Sequence, residues 1–129
     1  MTPPGYLITI GAAVPNIVNR RWQGMENSTR WARSVPVEQV RDFVEALPGE
    51  PIMPSGQEII DRHVITHRDD EHMDLVVPIH LQGTGQIWAL SLLLDAGPPE
   101  PDGEPLWLWG LGDQRLMSAE YIRALALRS

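Results

Sequence analysis

Residues 73–116 read MDLVVPIHLQGTGQIWALSLLLDAGPPEPDGEPLWLWGLGDQRL, and the architecture of the chain follows from them. It holds three apolar runs, residues 73–81, 86–95 and 105–111, separated by Gln-Gly-Thr-Gly and by a segment rich in proline, glycine and acid. Apolar runs with this punctuation are typical of antiparallel strands. The sequence therefore predicts a sheet that the rest of the chain must cover.

Side chains alternate between the two faces of a strand, so each run predicts which residues share a face. One face of the first run is apolar, while the other carries a polar residue at each end, Asp74 and His80. The second run is apolar on both faces, which predicts a central strand. One face of the third run carries Trp107 and Trp109 and, if the extended conformation persists that far, ends at Asp113.

Length and composition indicate one globular domain over residues 1–129. An apolar content of 43% is ordinary for a globular protein, and five tryptophans are too much apolar area for a disordered chain. The chain has no cysteine and so can form no disulfide. No charged leader is present and no run approaches the ~20 apolar residues that span a bilayer, so we expect a cytoplasmic protein without a membrane segment.

The formal net charge of −7 bears on the kind of partner. Nucleic-acid affinity comes largely from clustered lysine and arginine, so neither DNA nor RNA is expected to bind. All ten basic residues are arginine, a bias for which genomic base composition is a sufficient explanation.

The remaining elements follow from local patterns. Residues 36–47 predict the best helix, with Pro36 in its first turn and one apolar stripe made of Val37, Val40, Phe43, Val44 and Leu47. Residues 6–14 fit either a strand or a helix, and Pro15 is expected to interrupt either. Residues 16–33 fit one or two short helices. Residues 58–66, rich in isoleucine and valine, predict a fourth strand, and residues 68–71 the turn after it.

Two segments are expected near the end of the chain. Residues 96–104 hold three prolines and two glycines and predict an exposed loop. Ser118 can cap a short terminal helix whose apolar side chains dock on the body, namely Tyr121, Ile122, Leu125 and Leu127.

Residues 63–72 hold the densest group of ionisable side chains, with His63, His67 and His72 beside several carboxylates. Imidazole and carboxylate ligands in one place could bind a metal ion. However, the β-branched residues between the first two histidines favour a strand, which would hold them about 13 Å apart at a rise of ~3.3 Å per residue. We therefore expect surface histidines on a hairpin and name no metal or other cofactor.

One helix, VEQVRDFVEALPG, followed by IIDRHVIT, MDLVVPIHL, QIWALSLLLD and LWLWGLGDQRL, resembles the second half of the NTF2-like, or SnoaL-like, family of α+β cone folds. In that family a G-x-x-x-I-x-x-F helix precedes three or four long antiparallel strands, and the last strand commonly ends in a pattern like W-x-x-x-x-D. Trp109 and Asp113 resemble that ending partially. The resemblance covers residues 36–117 and implies an α+β fold with a curved antiparallel sheet of four or more strands packed on N-terminal helices.

Members of that family include ketosteroid isomerases, polyketide cyclases and epoxide hydrolases, which bind apolar small molecules in the cone, alongside non-catalytic members. The resemblance carries Asp113 over as the acid near the end of the last strand. It places His80 and Asp74 on a strand that contributes pocket residues in such enzymes. The Arg-x-Asp pair of the epoxide hydrolases has no counterpart in VVPIHL.

Our leading hypothesis is a cavity that binds a hydrophobic small molecule and is lined by Trp88, Trp107, Trp109 and Asp74. If the protein is an enzyme, Asp113 would act as general acid or base with His80 as its partner, moving a proton on a ketone, lactone or epoxide. Core packing is the alternative role of the tryptophans, helix capping that of Asp113, and a surface position that of His80.

Two further hypotheses belong to other classes. The charge and the acidic residues 69–71 and 100–104 suit a non-catalytic module that docks a basic protein, such as an immunity protein that neutralises a nuclease toxin. Strong salt dependence of binding would favour that function. A homodimer through an apolar sheet face is the third hypothesis.

Overall fold

The computed structural model describes residues 5–22, 34–99, 105–118, 120, 121, 123 and 124. These residues form an α+β fold, which confirms the predicted class of a curved antiparallel sheet preceded by a helix. The helices are α1 (Gly5–Val18), α2 (Val37–Glu45) and α3 (Gly56–Arg62). The strands are β1 (Val64–Arg68), β2 (His72–His80), β3 (Ile87–Pro99), β4 (Pro105–Leu111) and β5 (Arg115–Met117).

Strand β3 is the centre of the sheet, as its two apolar faces predicted. The order is β1-β2-β3-β4, and β5 also pairs with β3. Both β4 and β5 are antiparallel to β3, and they occupy consecutive parts of one edge, from Leu111 opposite Leu92 to Arg115 opposite Ala89. Three residues, 112–114, separate the two strands where β3 has only two, residues 90 and 91. β4 and β5 thus form one edge strand that is interrupted by a β-bulge.

The predicted alternation is confirmed on β2, β3 and β4. One face of the sheet packs against α1 and α2 and forms the main core, and we call it the inner face. Its strand residues include Met73, Leu75, Val77, Ile79, Trp88, Leu90, Leu92, Leu94 and Leu111. The opposite, outer face carries a smaller buried cluster of Val76, Ile87 and Ala89, against which Met117 packs.

The expectation that Pro15 interrupts the first element was wrong, because α1 continues to Val18. Proline removes one donor, but the Asn16 side chain donates to the Ala12 carbonyl at 3.3 Å, and at the end of the helix the Asn19 N–H donates to the Pro15 carbonyl at 3.0 Å. Burial of Ile17 beyond the proline favours continuing the helix. The described part of the chain has no helix both long and apolar enough to cross a bilayer.

The strand predicted over residues 58–66 was wrong in its first half, where the chain forms α3. Ser55 and Glu58 make a capping box: the Glu58 N–H donates to Ser55 Oγ at 3.1 Å, and the Ser55 N–H donates to Glu58 Oε1 at 3.3 Å. This reciprocal cap satisfies two backbone N–H groups at the start of the helix. It therefore favours a helix although the residues that follow include β-branched ones. Strand β1 then runs from Val64 to Arg68, so the turn predicted over residues 68–71 begins one residue later, at Asp69, and leads into β2.

The loop predicted over residues 96–104 was wrong for residues 96–99, since β3 runs to Pro99 and Ala96 pairs with Trp107. The register is irregular between Ala96 and Pro99, at the end of the strand, where proline is tolerated. Residues 100–104 lie outside the described chain, as do residues 23–33 of the predicted short helices. Ser118 accepts a hydrogen bond from the Tyr121 N–H at 3.2 Å, as a cap should, whereas the predicted docking by Ile122, Leu125 and Leu127 lies outside the described side chains.

Candidate functional site

The bulge between β4 and β5 is organised by the side chain of Gln114. Its Oε1 accepts from Trp88 Nε1–H at 2.8 Å and from the Ser91 N–H at 3.2 Å. Its Nε2 donates to the carbonyls of Ser91, at 3.0 Å, and Gly112, at 2.7 Å. The amide nitrogen therefore donates two hydrogen bonds and the amide oxygen accepts two. These four bonds replace the main-chain hydrogen bonds that the extra residue of the bulge removes.

Close packing of Gly112 on Ser91 completes the bulge. Gly112 is buried and donates its N–H to the Ser91 carbonyl at 3.1 Å. A Cβ atom at position 112 would lie 2.3 Å from Ser91 Oγ and 3.0 Å from Ser91 Cβ. Only glycine fits this approach without displacing its neighbour.

The bulge also decides which residues face outward. Arg115 pairs with Ala89 and therefore shares the outer face with it, whereas unbroken alternation from Leu111 would have put residue 115 on the inner face. The prediction that Asp113 shares the face of Trp107 and Trp109 was wrong for the same reason, because the strand ends at Leu111 and Asp113 lines a groove on the outer face.

This groove, which we call the outer groove, has a volume of about 380 Å³ and is open to solvent. Apolar side chains from three strands line it, namely Val76, Ala89, Leu93 and Met117. Polar groups stand among and around them, namely Thr66, Ser91, Asp113, Arg115 and Tyr121. The arrangement suits a ligand with an apolar body and a polar group.

The polar side chains of the outer groove differ in whether they already have a hydrogen-bond or ion-pair partner among the described residues. Thr66 Oγ1 donates to the Asp74 carbonyl at 3.2 Å. Asp113 is exposed, and one of its oxygens accepts from Gln39 Nε2 at 3.3 Å. The side chain of Arg115 is exposed and has no ion pair or hydrogen bond with any described residue. Arg115 therefore offers an unpaired guanidinium beside an apolar surface.

The structure does not bring the three predicted tryptophans to the outer groove. Trp88 is fully buried on the inner face, where its ring centroid lies 6.0 Å from that of Phe43. Trp107 and Trp109 are half-buried and pack against the same core. Alternation along β3 and β4 puts all three under the helices, on the opposite side of the sheet from the groove. Their position is the core alternative considered from the sequence.

The predicted pair of Asp113 and His80 is not assembled at the outer groove either. His80 is exposed at the end of β2 and lines a different, small cavity of about 40 Å³ with Met53 and Arg62. Asp74 is half-buried on the outer face of β2, opposite Leu93, and does not line the groove. Of the predicted site residues, only Asp113 lies in the outer groove.

The histidine-rich segment forms a hairpin end. Asp69 at the β1–β2 turn accepts from the N–H groups of Glu71 and His72, both at 2.8 Å, and its other oxygen lies 3.0 Å from His67 Nε2. His63 lies apart, with its Nε2 3.3 Å from the Tyr6 hydroxyl. No group of three or more potential ligands suited to a metal ion occurs among the residues that the structure describes.

The hydrogen bond from the Glu71 N–H, with those from His67 and the His72 N–H, holds the pKa of Asp69 far below its usual value of about 4. The folded state thus favours the charged carboxylate, so its stabilising effect is complete above about pH 4 and is lost as the pH falls through the lower pKa of the folded protein. Asp69→Asn should make the urea midpoint depend less on pH than in the wild type between about pH 5 and pH 2. Asp70→Asn, at the exposed neighbour, should keep the wild-type dependence, and an unaltered dependence in Asp69→Asn would contradict this role.

A second concavity, of about 440 Å³, follows strand β1 and is lined by His63 and residues 65–68. Strand β1 is at the edge of the sheet, is five residues long and has a bulge between Ile65 and His67. Short, irregular edge strands with basic side chains discourage the addition of another strand. This edge is therefore a weaker candidate than the outer groove.

Comparison of the chain with protein-family models, with curated proteins and with solved structures finds no match. The resemblance to the NTF2-like family stays a prediction.

Residues that sequence reasoning missed carry most of the site. Gln114, Arg115 and Ser91 were not candidates, because their roles depend on the bulge. The signal that could have found it is Gly-Leu-Gly directly after the tryptophan strand, since glycine within a strand pattern often marks a bulge or a close backbone approach.

Proposed function

We propose that the protein binds a small amphipathic molecule in the outer groove. The observation that carries the proposal is an apolar floor beside polar groups, with the Arg115 guanidinium unpaired among the described residues, in a concave site of about 380 Å³. Ligand sites are typically concave, largely apolar and about 300–1,000 Å³ in volume, with a few polar groups that set orientation. The apolar part of the ligand would lie on Ala89, Leu93 and Met117.

The proposal is binding rather than catalysis. Asp113 can contact the ligand, but His80, the partner predicted for it, lines another cavity. Of the two groups predicted to carry out acid/base chemistry, Asp113 lies in the groove and His80 does not.

Docking of a basic protein has weaker support. Asp69, Asp70 and Glu71 are exposed, as that function requires. However, the oxygens of Asp69 are already taken by the turn and by His67, so part of this acidic group serves the hairpin itself.

A fluorescence titration with the neutral apolar probe N-phenyl-1-naphthylamine tests the proposal. Leu93→Gln should weaken probe binding about 10-fold, because it removes an apolar side chain from the floor and one buried leucine is worth about 1.5–3 kcal/mol. Ile8→Gln, at a residue of α1 that is 61% exposed and lies away from the groove, should leave the affinity unchanged.

Far-ultraviolet circular dichroism of both variants verifies that they are folded. The proposal fails if the folded wild type does not bind the probe, as closure of the groove by a second copy of the chain would cause. Equal affinities for the two variants would also contradict it.

A further inference from the structure

We infer that the ligand of the outer groove is an amphipathic carboxylate whose anionic group pairs with Arg115. This inference rests on the proposed function and names the chemical class of its ligand. It depends on where the cations of the chain lie and on which of them are already paired.

Arg115 stands apart from the paired arginines of the described chain. Arg20 pairs with Glu50 at 3.5 Å, and Arg62 with Glu58 at 3.3 Å. Arg68 lies over the ring of Tyr6, with its guanidinium carbon 5.8 Å from the ring centroid. Arg115 has no such partner among the described residues, although the protein carries an excess of acid.

Its place in the fold is also distinctive. Arg21, Arg41 and Arg123 have no side-chain partner among the described residues either, but all three are exposed and line none of the three cavities described above. Arg115 lines the groove beside an apolar floor. An unpaired guanidinium next to apolar surface is complementary to a molecule with a hydrocarbon body and a negative end.

A carboxylate suits this position best. The guanidinium presents planar, parallel N–H donors that bind both oxygens of a carboxylate, and such charge-assisted pairs are about twice as strong as neutral hydrogen bonds. The net charge of −7 repels anions at long range, but physiological salt screens distant exposed charges beyond about 8 Å, so the nearest groups dominate.

The carboxylate that lines the groove with Arg115 is Asp113, two residues away in the sequence. Gln39 donates to one Asp113 oxygen, which offsets part of its charge. A plain carboxylate still meets repulsion there, so neutralising Asp113 should strengthen its binding. This expectation separates pairing with Arg115 from mere apolar burial, which Asp113 would not affect.

The test compares 4-phenylbutyrate with its neutral analogue 4-phenylbutan-1-ol, each displacing N-phenyl-1-naphthylamine from the intact protein. The wild type should bind the acid about 10-fold more tightly than the alcohol. Arg115→Gln should remove that preference and leave the affinity for the alcohol unchanged. Arg41→Gln, the matched control, should keep the preference, and Asp113→Asn should increase the affinity for the acid about threefold.

Equal affinities of the wild type for acid and alcohol, or a preference that survives in Arg115→Gln, would overturn the inference while the probe still binds and the proposed function stands. Failure of the wild type to bind the probe would overturn the proposed function and this inference with it.

Discussion

Replacing Gln114 by alanine should lower the free energy of unfolding by about 3 kcal/mol. The substitution leaves the Trp88 Nε1–H, the Ser91 N–H and the Gly112 carbonyl without the partner that now satisfies them, whereas the Ser91 carbonyl keeps the Gly112 N–H. Each unsatisfied buried polar group costs about 1–3 kcal/mol, and water entering the half-buried site would recover part of that sum. Urea denaturation followed by tryptophan fluorescence measures the loss.

Gln39→Ala is the matched control, since Gln39 is an exposed glutamine with one side-chain hydrogen bond, to Asp113. It should cost less than about 0.5 kcal/mol. Adding Trp88→Phe completes a double-mutant cycle, in which the cost of Gln114→Ala should fall by about 1 kcal/mol because one donor is already gone. A loss below about 0.5 kcal/mol for Gln114→Ala would refute the role given to this amide.

Gly112→Ala should destabilise the protein by about 2 kcal/mol. The added methyl group would lie 2.3 Å from Ser91 Oγ, and overpacking of this kind costs about 1–3 kcal/mol because neighbouring atoms must shift. Ser91→Gly removes both atoms that the new methyl group meets most closely, so in that background Gly112→Ala should cost much less.

Gly56→Ala serves as the control, because a Cβ atom at Gly56, in the first turn of α3, meets nothing within 4 Å. It should leave stability unchanged or raise it slightly, since alanine is the better helix former. The same cost for Gly112→Ala in both backgrounds, measured by urea denaturation, would show that contact with Ser91 is not the cause.

It could be predicted which residues of β2, β3 and β4 share a face, because burial of one face of a strand fixes the face on which each of its residues lies. Met73 to Ile79 and Trp88 to Leu94 alternate as expected, and their inner members form the core. Local chemistry overrode the β-branched pattern at α3, where the Ser55 and Glu58 cap starts a helix. The capping-box pattern was present in the sequence, and its effect outweighs the β-strand propensity of the β-branched residues.

The site itself was predictable only in part. Asp113 lines the outer groove, but it was predicted on the expectation of an unbroken strand that would have put it among the tryptophans. The extra residue in the bulge exchanges the inward-facing and outward-facing positions after Leu111. The alternation of apolar residues gives no sign of that extra residue. Arg115 was missed for the same reason, since its face depends on the bulge and not on its neighbours in sequence.

A methyl NMR titration of the protein with 4-phenylbutyrate locates the bound ligand, because neighbouring residues of β3 report on opposite sides of the sheet. Leu93 faces the outer groove, whereas Leu92 is fully buried in the inner core. We predict that signals from Leu93, Val76 and Met117 shift with ligand concentration while those of Leu92 stay in place. Shifts at Leu92 and α1 Ile10 with none at Leu93 would place the ligand under the helices and contradict the account.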